Sequence, residues 1–284
     1  MGVSHPNGRV RGTDGAPRTA RAGLARSSAT WVSVSDTRTI GRTGRGLLGM
    51  EHGRAGTGLH VTTTARLLPV RIPRNPDAVV LVLHGGASRG ASAMVSPTQL
   101  SVLRMVPVAR RIARAGRDRL AVYRLLNSHR GWDATTTPVS DVQWALRRVA
   151  EQHGDVAVSL VGHSLGGRAA LLGADDAAVR SVVALNPWVQ TSDRVRVQGA
   201  RVLVVHGTED RIALPERSRQ LARRLAAGAE VGYIAVRGGR HAMLRHGRAF
   251  ERYAAEFVTV TLLGGPARSA AVAAVMDGEA YVEV

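Results

Sequence analysis

There is no cysteine anywhere in this sequence, so disulfides, thiolate nucleophiles and cysteine-held zinc or iron–sulfur centres are excluded. Lysine is absent as well: all 39 basic residues are arginine, set against 21 acidic ones, for a formal net charge of +18. Such an excess ordinarily raises the question of nucleic acid, because clustered cations release counterions from phosphate backbones. Here the arginines are scattered in short pairs such as Arg110-Arg111, Arg147-Arg148 and Arg223-Arg224, and aromatics make up only 4% of the chain, so little interleaves with them that could stack bases. Arginine in place of lysine, with abundant Ala, Val and Gly, reads as the codon bias of a GC-rich genome, and no nucleic-acid partner is expected. No apolar run approaches the roughly 18 residues that span a bilayer, and the N-terminus lacks the apolar core of a secretory signal. The expectation is a cytoplasmic protein with no membrane partner.

What is present changes character along the chain. Residues 1–49 are rich in Gly, Ser, Thr and Arg and nearly empty of large apolar side chains, too few to offset chain entropy, and are expected to be a disordered arginine-rich segment. Met50 opens a sensible domain start, which suggests an over-extended reading frame ahead of it. Domain boundaries of 50–264 follow, with 265–284 set apart as a C-terminal tail of no assigned role.

Leu59-His60-Val61 and Leu67 to Ile72 read as paired edge strands. A β-then-α rhythm follows. Ala78 to Leu83 is a continuously apolar run, as expected of a parallel strand covered on both faces. A helix ending near Gly116 precedes a strand at Leu120–Leu126. Ser140 and Gln143 match a capping box, followed by Val142, Ala145, Leu146, Val149 and Ala150 at helical spacing and by Gly154 as a stop. Strands are expected at Val156–Val161, Ser181–Leu185, Val202–Val205 and Val231–Val236, with helices after Ser164, from Pro215 and around Arg248–Val258. This alternation predicts a doubly wound, mostly parallel sheet flanked by helices, with ligands beyond the carboxyl ends of its strands.

At one of those strand ends stands Gly162-His163-Ser164-Leu165-Gly166. Between a buried strand and a helix, this string makes a sharp turn that exposes the serine and admits only small residues at 162 and 166. A serine hydroxyl is a poor nucleophile until a base takes its proton, so the reading demands a carboxylate and a histidine later in the chain, in the order Ser, Asp, His. His206-Gly207-Thr208-Glu209-Asp210 follows a strand and supplies Asp210, with Glu209 the close alternative. Asp175, Asp176 and Asp193 lie on less suitable segments. His241, on the Gly238-Gly239-Arg240-His241 loop after the last strand, is the expected base, and His246 is the runner-up. His163 and His206 are expected to be packed within their turns. The oxyanion of acyl transfer needs two preorganised N–H donors. Leu165, just after the nucleophile, and Gly86, in the His84-Gly85-Gly86-Ala87 turn, are the candidates.

Taken together, these residues resemble the α/β-hydrolase superfamily over roughly residues 57–262. The resemblance implies an oxyanion turn at His84-Gly85-Gly86, an elbow at Gly162-His163-Ser164-Leu165-Gly166, an acid at Asp210 and a base at His241. More narrowly, Arg130-Gly131-Trp132 and Asn186-Pro187-Trp188 are similar to those of compact actinobacterial hydrolases, somewhat like dienelactone-hydrolase-like esterases. Only residues 188–200 separate Pro187 from the next strand, which leaves no room for a cap domain. The expected activity is hydrolysis of a small carboxylic ester through an acyl-enzyme intermediate, with no cofactor and no metal. Transfer of the acyl group to an alcohol or thiol, or a binding protein that keeps the fold without turnover, are the alternatives. Trp188 and Trp132 are candidate apolar walls of the substrate pocket. Oligomeric state is not readable from the sequence.

Overall fold

The computed structural model describes residue 2 and residues 65–86, 95–132 and 136–284. Eight strands form one sheet in the order β1-β3-β2-β4-β5-β6-β7-β8. They are β1 (Arg66–Arg71), β2 (Ala78–Leu83), β3 (Leu120–Leu126), β4 (Ala157–His163), β5 (Val179–Leu185), β6 (Arg201–Gly207), β7 (Val231–Val236) and β8 (Tyr281–Glu283). Among the described strands only β1 runs antiparallel, against β3. It is an edge strand, and its register slips between Pro69 and Arg71. A proline, which has no N–H to give to a ladder, is tolerated at an edge.

The period-2 geometry of a strand explains the unbroken apolar runs. In β2, Val79, Leu81 and Leu83 point to one face and Ala78, Val80 and Val82 to the other, and all six are buried. The first face packs on α3 (Thr137–His153), α4 (Leu165–Leu172) and α5 (Pro215–Leu225) through Val142, Ala170 and Leu221. The second packs on α2 (Met105–Gly116), α6 (Gly247–Leu263) and α7 (Ala270–Met276) through Ile112, Phe250, Phe257 and Val272. A single short turn, α1 (Leu100–Leu103), precedes α2. No helix among the described residues is long and apolar enough to cross a membrane.

Three expectations need adjustment. Ser140 and Gln143 do not open a helix: α3 begins at Thr137, because Thr136 takes a left-handed turn at φ 56° and Pro138, with its preset φ, sits in the first turn. Ala150 is exposed, so the buried stripe of α3 is Val142, Ala145, Leu146 and Val149. Residues 265–284, set apart as a tail, contain α7 and β8. Strand β8 pairs in parallel with β7, and Val272 of α7 is fully buried in the core. The apolar spacing Ala271, Val272, Val275 marks this short helix, capped by the Ser269 side chain on the Val272 N–H. The expected strand at Leu59–Val61, together with Met50, residues 1–49 apart from Gly2, and Ala87, lies outside the described residues. The connection from β5 to β6, residues 186–200, contains no helix, so no cap domain rises there.

Candidate active site

The carboxyl ends of β2, β4, β6 and β7 meet in one place, and each contributes a polar group. Strand β4 ends at His163, and the chain then turns sharply into α4. Ser164 sits at that turn with φ 56° and ψ −119°, a backbone state costly for any residue with a Cβ. The turn is tight enough to dictate its flanks: a side-chain carbon at Gly162 would lie 2.1 Å from the Gly166 carbonyl oxygen, and one at Gly166 would lie 2.5 Å from that of His84. Three backbone bonds pin the elbow: Ser164 N–H donates to Leu185 at 3.0 Å, and the Ser164 carbonyl accepts from Trp188 at 3.0 Å and Arg168 at 3.1 Å.

His241 reaches the serine from the loop after β7. Its Nε2 lies 2.9 Å from Ser164 Oγ, and its Nδ1 lies 2.7 Å from Asp210 Oδ2. A carboxylate can only accept, so Nδ1 carries the proton and Nε2 is left free to take the serine's. The loops after β6 and β7 approach this closely because Gly207 and Gly239 pack backbone to backbone, where a Cβ on Gly207 would lie 2.3 Å from Gly239. Glu209, the alternative acid, faces outward and pairs with Arg240 at 3.1 Å. His246, the alternative base, stands at the N-terminus of α6 beside Gly238.

Asp210 is buried, and burial alone would push its pKa up. Hydrogen bonds from His206 and His241 and from the Ala213 N–H override that and hold the carboxyl well below the usual carboxylate range. Oδ1 accepts the N–H groups of Ile212 and Ala213, both at 2.9 Å. His206 Nε2 faces two acceptors, Ala213 O at 2.9 Å and Asp210 Oδ2 at 3.2 Å, so it is the donor. Its Nδ1 is held by Ser218 Oγ at 2.8 Å. His206 therefore fixes the carboxylate from behind while His241 engages it in front.

The His241 backbone is clamped in turn. His163 Nε2 donates to the His241 carbonyl at 2.8 Å, and Asn186 Nδ2 donates to the same oxygen at 3.2 Å. Asn186 takes φ 41° at the end of β5, and its Oδ1 accepts the Gly207 N–H at 2.8 Å, so one amide ties three strand ends together. Burial drives His163 down to about 3, leaving it neutral, with its ring 5.0 Å from that of His241. His163 packs within its turn as expected; its grip on the His241 carbonyl, and the part played by Asn186, were not anticipated. The readable signal for both is a polar residue at the end of an otherwise apolar strand.

The turn after β2 lies against the elbow. A carbon on Gly85 would touch Ser164 Cβ at 3.3 Å, and one on Gly86 would strike the Arg130 carbonyl oxygen at 2.2 Å and Leu165 Cδ1 at 3.3 Å. Buried His84 holds this turn: its Nδ1 donates to Gly85 O at 2.6 Å, and its Nε2 accepts the Asn127 N–H at 3.2 Å. Leu165 is the first residue of α4, where backbone N–H groups have no partner within the helix. Gly86 and Leu165 are thus neighbours beside Ser164.

Trp188 is half-buried at the foot of the elbow, and its ring lies 5.7 Å from the Arg168 guanidinium; the Trp132 ring lies 4.1 Å from it. Arg168 is itself buried and grips Asp193 in a fork, with Nη2 to Oδ1 at 2.6 Å and Nε to Oδ2 at 2.9 Å. Both tryptophans therefore flank the Arg168 cation, and Trp188 alone is tied to the elbow through its backbone N–H on the Ser164 carbonyl. An arginine on the otherwise small, apolar face Leu165-Gly-Gly-Arg168-Ala-Ala was the sequence signal for this pair.

A family model described as lipase (class 3) matches residues 111–198, the stretch from the middle of α2 past the elbow to the β5–β6 connection. A comparison with curated proteins finds no match. Among solved structures, an α/β serine hydrolase without a lid from Xanthomonas campestris is similar at 17% identity and a TM-score of 0.54, covering 71% of this chain and 89% of that one. An esterase from Pyrobaculum calidifontis is similar at 17% identity and a TM-score of 0.51, covering 70% of this chain and 81% of that one. These likenesses, with the sheet order described above, identify the fold: the chain has the α/β-hydrolase fold, and among the described residues no cap domain follows β5.

Proposed function

We propose that this protein is a serine hydrolase that cleaves a small carboxylic ester through an acyl-enzyme intermediate. The observation that carries the reading is the continuous hydrogen-bonded line from Asp210 through His241 to a Ser164 held in a strained turn. Strain of that kind persists where it presents a reactive atom. Similarity to esterases and to a lidless serine hydrolase, and the match to a lipase model across the elbow, support the same chemistry.

In this reading Ser164 Oγ attacks the ester carbonyl while His241 Nε2 takes its proton, and Asp210 stabilises the imidazolium that forms. The N–H groups of Leu165 and Gly86 receive the oxyanion, each worth about 3 kcal/mol of barrier. The tetrahedral centre collapses, His241 Nε2 gives its proton to the leaving alkoxide, and the alcohol departs. Water then enters, loses a proton to the same nitrogen, and displaces Ser164 from the acyl group, whose carboxylic acid is released as the proton returns to Oγ. With no helix between β5 and β6 to rise as a cap, little surface among the described residues is available to bury a long acyl chain, so acyl groups of roughly two to six carbons should be preferred, each further buried methylene being worth about 0.8 kcal/mol where a tunnel exists. In this reading Trp188, whose backbone N–H donates to the Ser164 carbonyl, supplies an apolar wall for the acyl group.

The test is a panel of chromogenic acyl esters of increasing chain length, run on wild type and Ser164→Ala. Turnover that peaks at short chains and vanishes in the variant supports the proposal. Turnover that survives the substitution, or none in wild type, sinks it.

A further inference from the structure

Beside the loop that follows His241 lies a cation for which no partner stands among the described residues. Arg104 joins α1 to α2, and its Nε is buried with no hydrogen bond; among the described residues no carboxylate lies within ion-pair distance of its guanidinium. Burying part of a guanidinium without a counter-charge is costly, which is why such groups are ordinarily paired. Burial accordingly lowers its affinity for its proton. Its charge also opposes protonation of His163, whose ring lies 5.0 Å from that of His241.

Arg104 lines a groove of about 340 Å³ that runs along the loop after His241. Leu103 and Leu100 form one wall and Met243 and Leu244 the other, with Leu100 and Leu244 more than three-quarters exposed. Met243 is held at φ 56°, a left-handed turn that sets the wall's course. Glu251 also lines the groove and has its own cation, Arg111 Nη1 at 3.9 Å. The groove is therefore apolar along its sides and carries one uncompensated positive charge.

Its position says which half of an ester it would take. This step rests on the proposed hydrolase reading: His241 Nε2 must hand its proton to the leaving oxygen, so the alcohol portion lies on the side of His241, whose chain neighbours Ala242, Met243 and Leu244 line this groove. The geometry points to a substrate whose alcohol portion is a hydroxy acid: a short acyl group esterified to a hydroxyl that is joined by an apolar spacer to a carboxylate, with Arg104 as the residue that recognises the carboxylate. A single guanidinium matches a single negative charge with its planar fork, whereas a phosphomonoester would bring a second charge that nothing in the groove answers.

The experiment compares acetyl esters of unbranched ω-hydroxy acids of three to eight carbons with alkyl acetates of matched length, and with monoethyl esters of dicarboxylic acids, which put the charge on the acyl side. In wild type at least one acetylated hydroxy acid should exceed its neutral partner in kcat/KM by roughly tenfold to hundredfold, mainly through KM, as a charged hydrogen bond provides. Arg104→Met should bring that ratio to about one, and Arg104→Lys should keep part of it. A wild-type ratio near one for every pair, a preference for the dicarboxylate monoesters, or an equal fall of both series in Arg104→Met would overturn the inference. If no ester is cleaved and a fluorophosphonate leaves Ser164 unlabelled, the hydrolase reading has failed. Titration with 6-hydroxyhexanoate then still reads the groove: binding abolished by Arg104→Met supports an anion site, and absence of binding overturns it.

Discussion

Ser164 offers a way to weigh reactivity against stability at one position. Its φ of 56° and ψ of −119° press Cβ against the backbone, whereas glycine enters that region freely. Ser164→Ala removes the hydroxyl and keeps Cβ; Ser164→Gly removes both. Each variant loses the 2.9 Å bond to His241 Nε2 and each should be inactive, so the difference between them isolates the backbone. Relief of the strained conformation is worth about 1–3 kcal/mol. The extra freedom of glycine in the unfolded chain takes back about 0.5–1 kcal/mol. The glycine variant should therefore be more stable than the alanine variant by roughly 0.5–2 kcal/mol, or about 1–8 °C in Tm for a domain of this size. Denaturant titration and calorimetry on the two proteins would measure it. A glycine variant that is equal to the alanine variant, or weaker by the usual cost of glycine, would refute the claim that the elbow stores strain.

The remaining tests address other parts of the site and its supports. His241→Ala should lose at least about three orders of magnitude in kcat while His246→Ala keeps most activity, and the opposite order in steady-state assays would move the base to His246. His163, neutral when folded and driven down to about 3, takes up its proton only in the unfolded chain between pH 6.5 and 3, so it lowers stability as pH falls through that window. His163→Gln keeps a donor for the His241 carbonyl and loses that titration; its stability deficit should shrink by about 1.4 kcal/mol per pH unit between pH 6 and 4, and a constant deficit in denaturant melts would contradict the assignment. Arg168→Ala strands the buried Asp193 charge and should cost about 3–5 kcal/mol, much of it recovered by adding Asp193→Leu; an additive double mutant would show that the pair does not couple. Ending the chain at Gly264 removes the buried Val272 and Val275 and should cost at least about 3 kcal/mol, seen as a lowered Tm.

Strands β2 to β7 were legible because parallel strands covered on both faces leave unbroken runs such as Ala78–Leu83, and because a doubly wound sheet places its chemistry where those runs stop. The elbow was legible for a steric reason: the distances at Gly162 and Gly166 admit no side chain, so the glycines are obligatory and visible. The choice of Asp210 over Glu209 could be ranked but not settled in one dimension, since two adjacent carboxylates point to opposite sides and only folded coordinates reveal which meets His241 and which meets Arg240. Strand β8 escaped notice because three residues carry no period, and α7 because seven residues fall below the length at which helical spacing stands out. Pairings such as His163 and Asn186 with the His241 carbonyl join positions more than 50 residues apart and have no local signature.

The site is drawn from the ends of β2, β4, β6 and β7, which makes it a property of the assembled sheet and of no smaller piece. Each of those strands enters the sheet through a crossover that must close a long loop before any contact rewards it, the kind of topology that folds slowly. Recovery of ester turnover during refolding should thus lag behind helix formation and coincide with the latest pairing among these strands, which makes activity a direct clock for completion of the sheet. On the proposed reading, local loosening of the β7 edge would silence turnover by carrying off His241 while β2 and β4 still hold Ser164 and the Gly85-Gly86 turn in place.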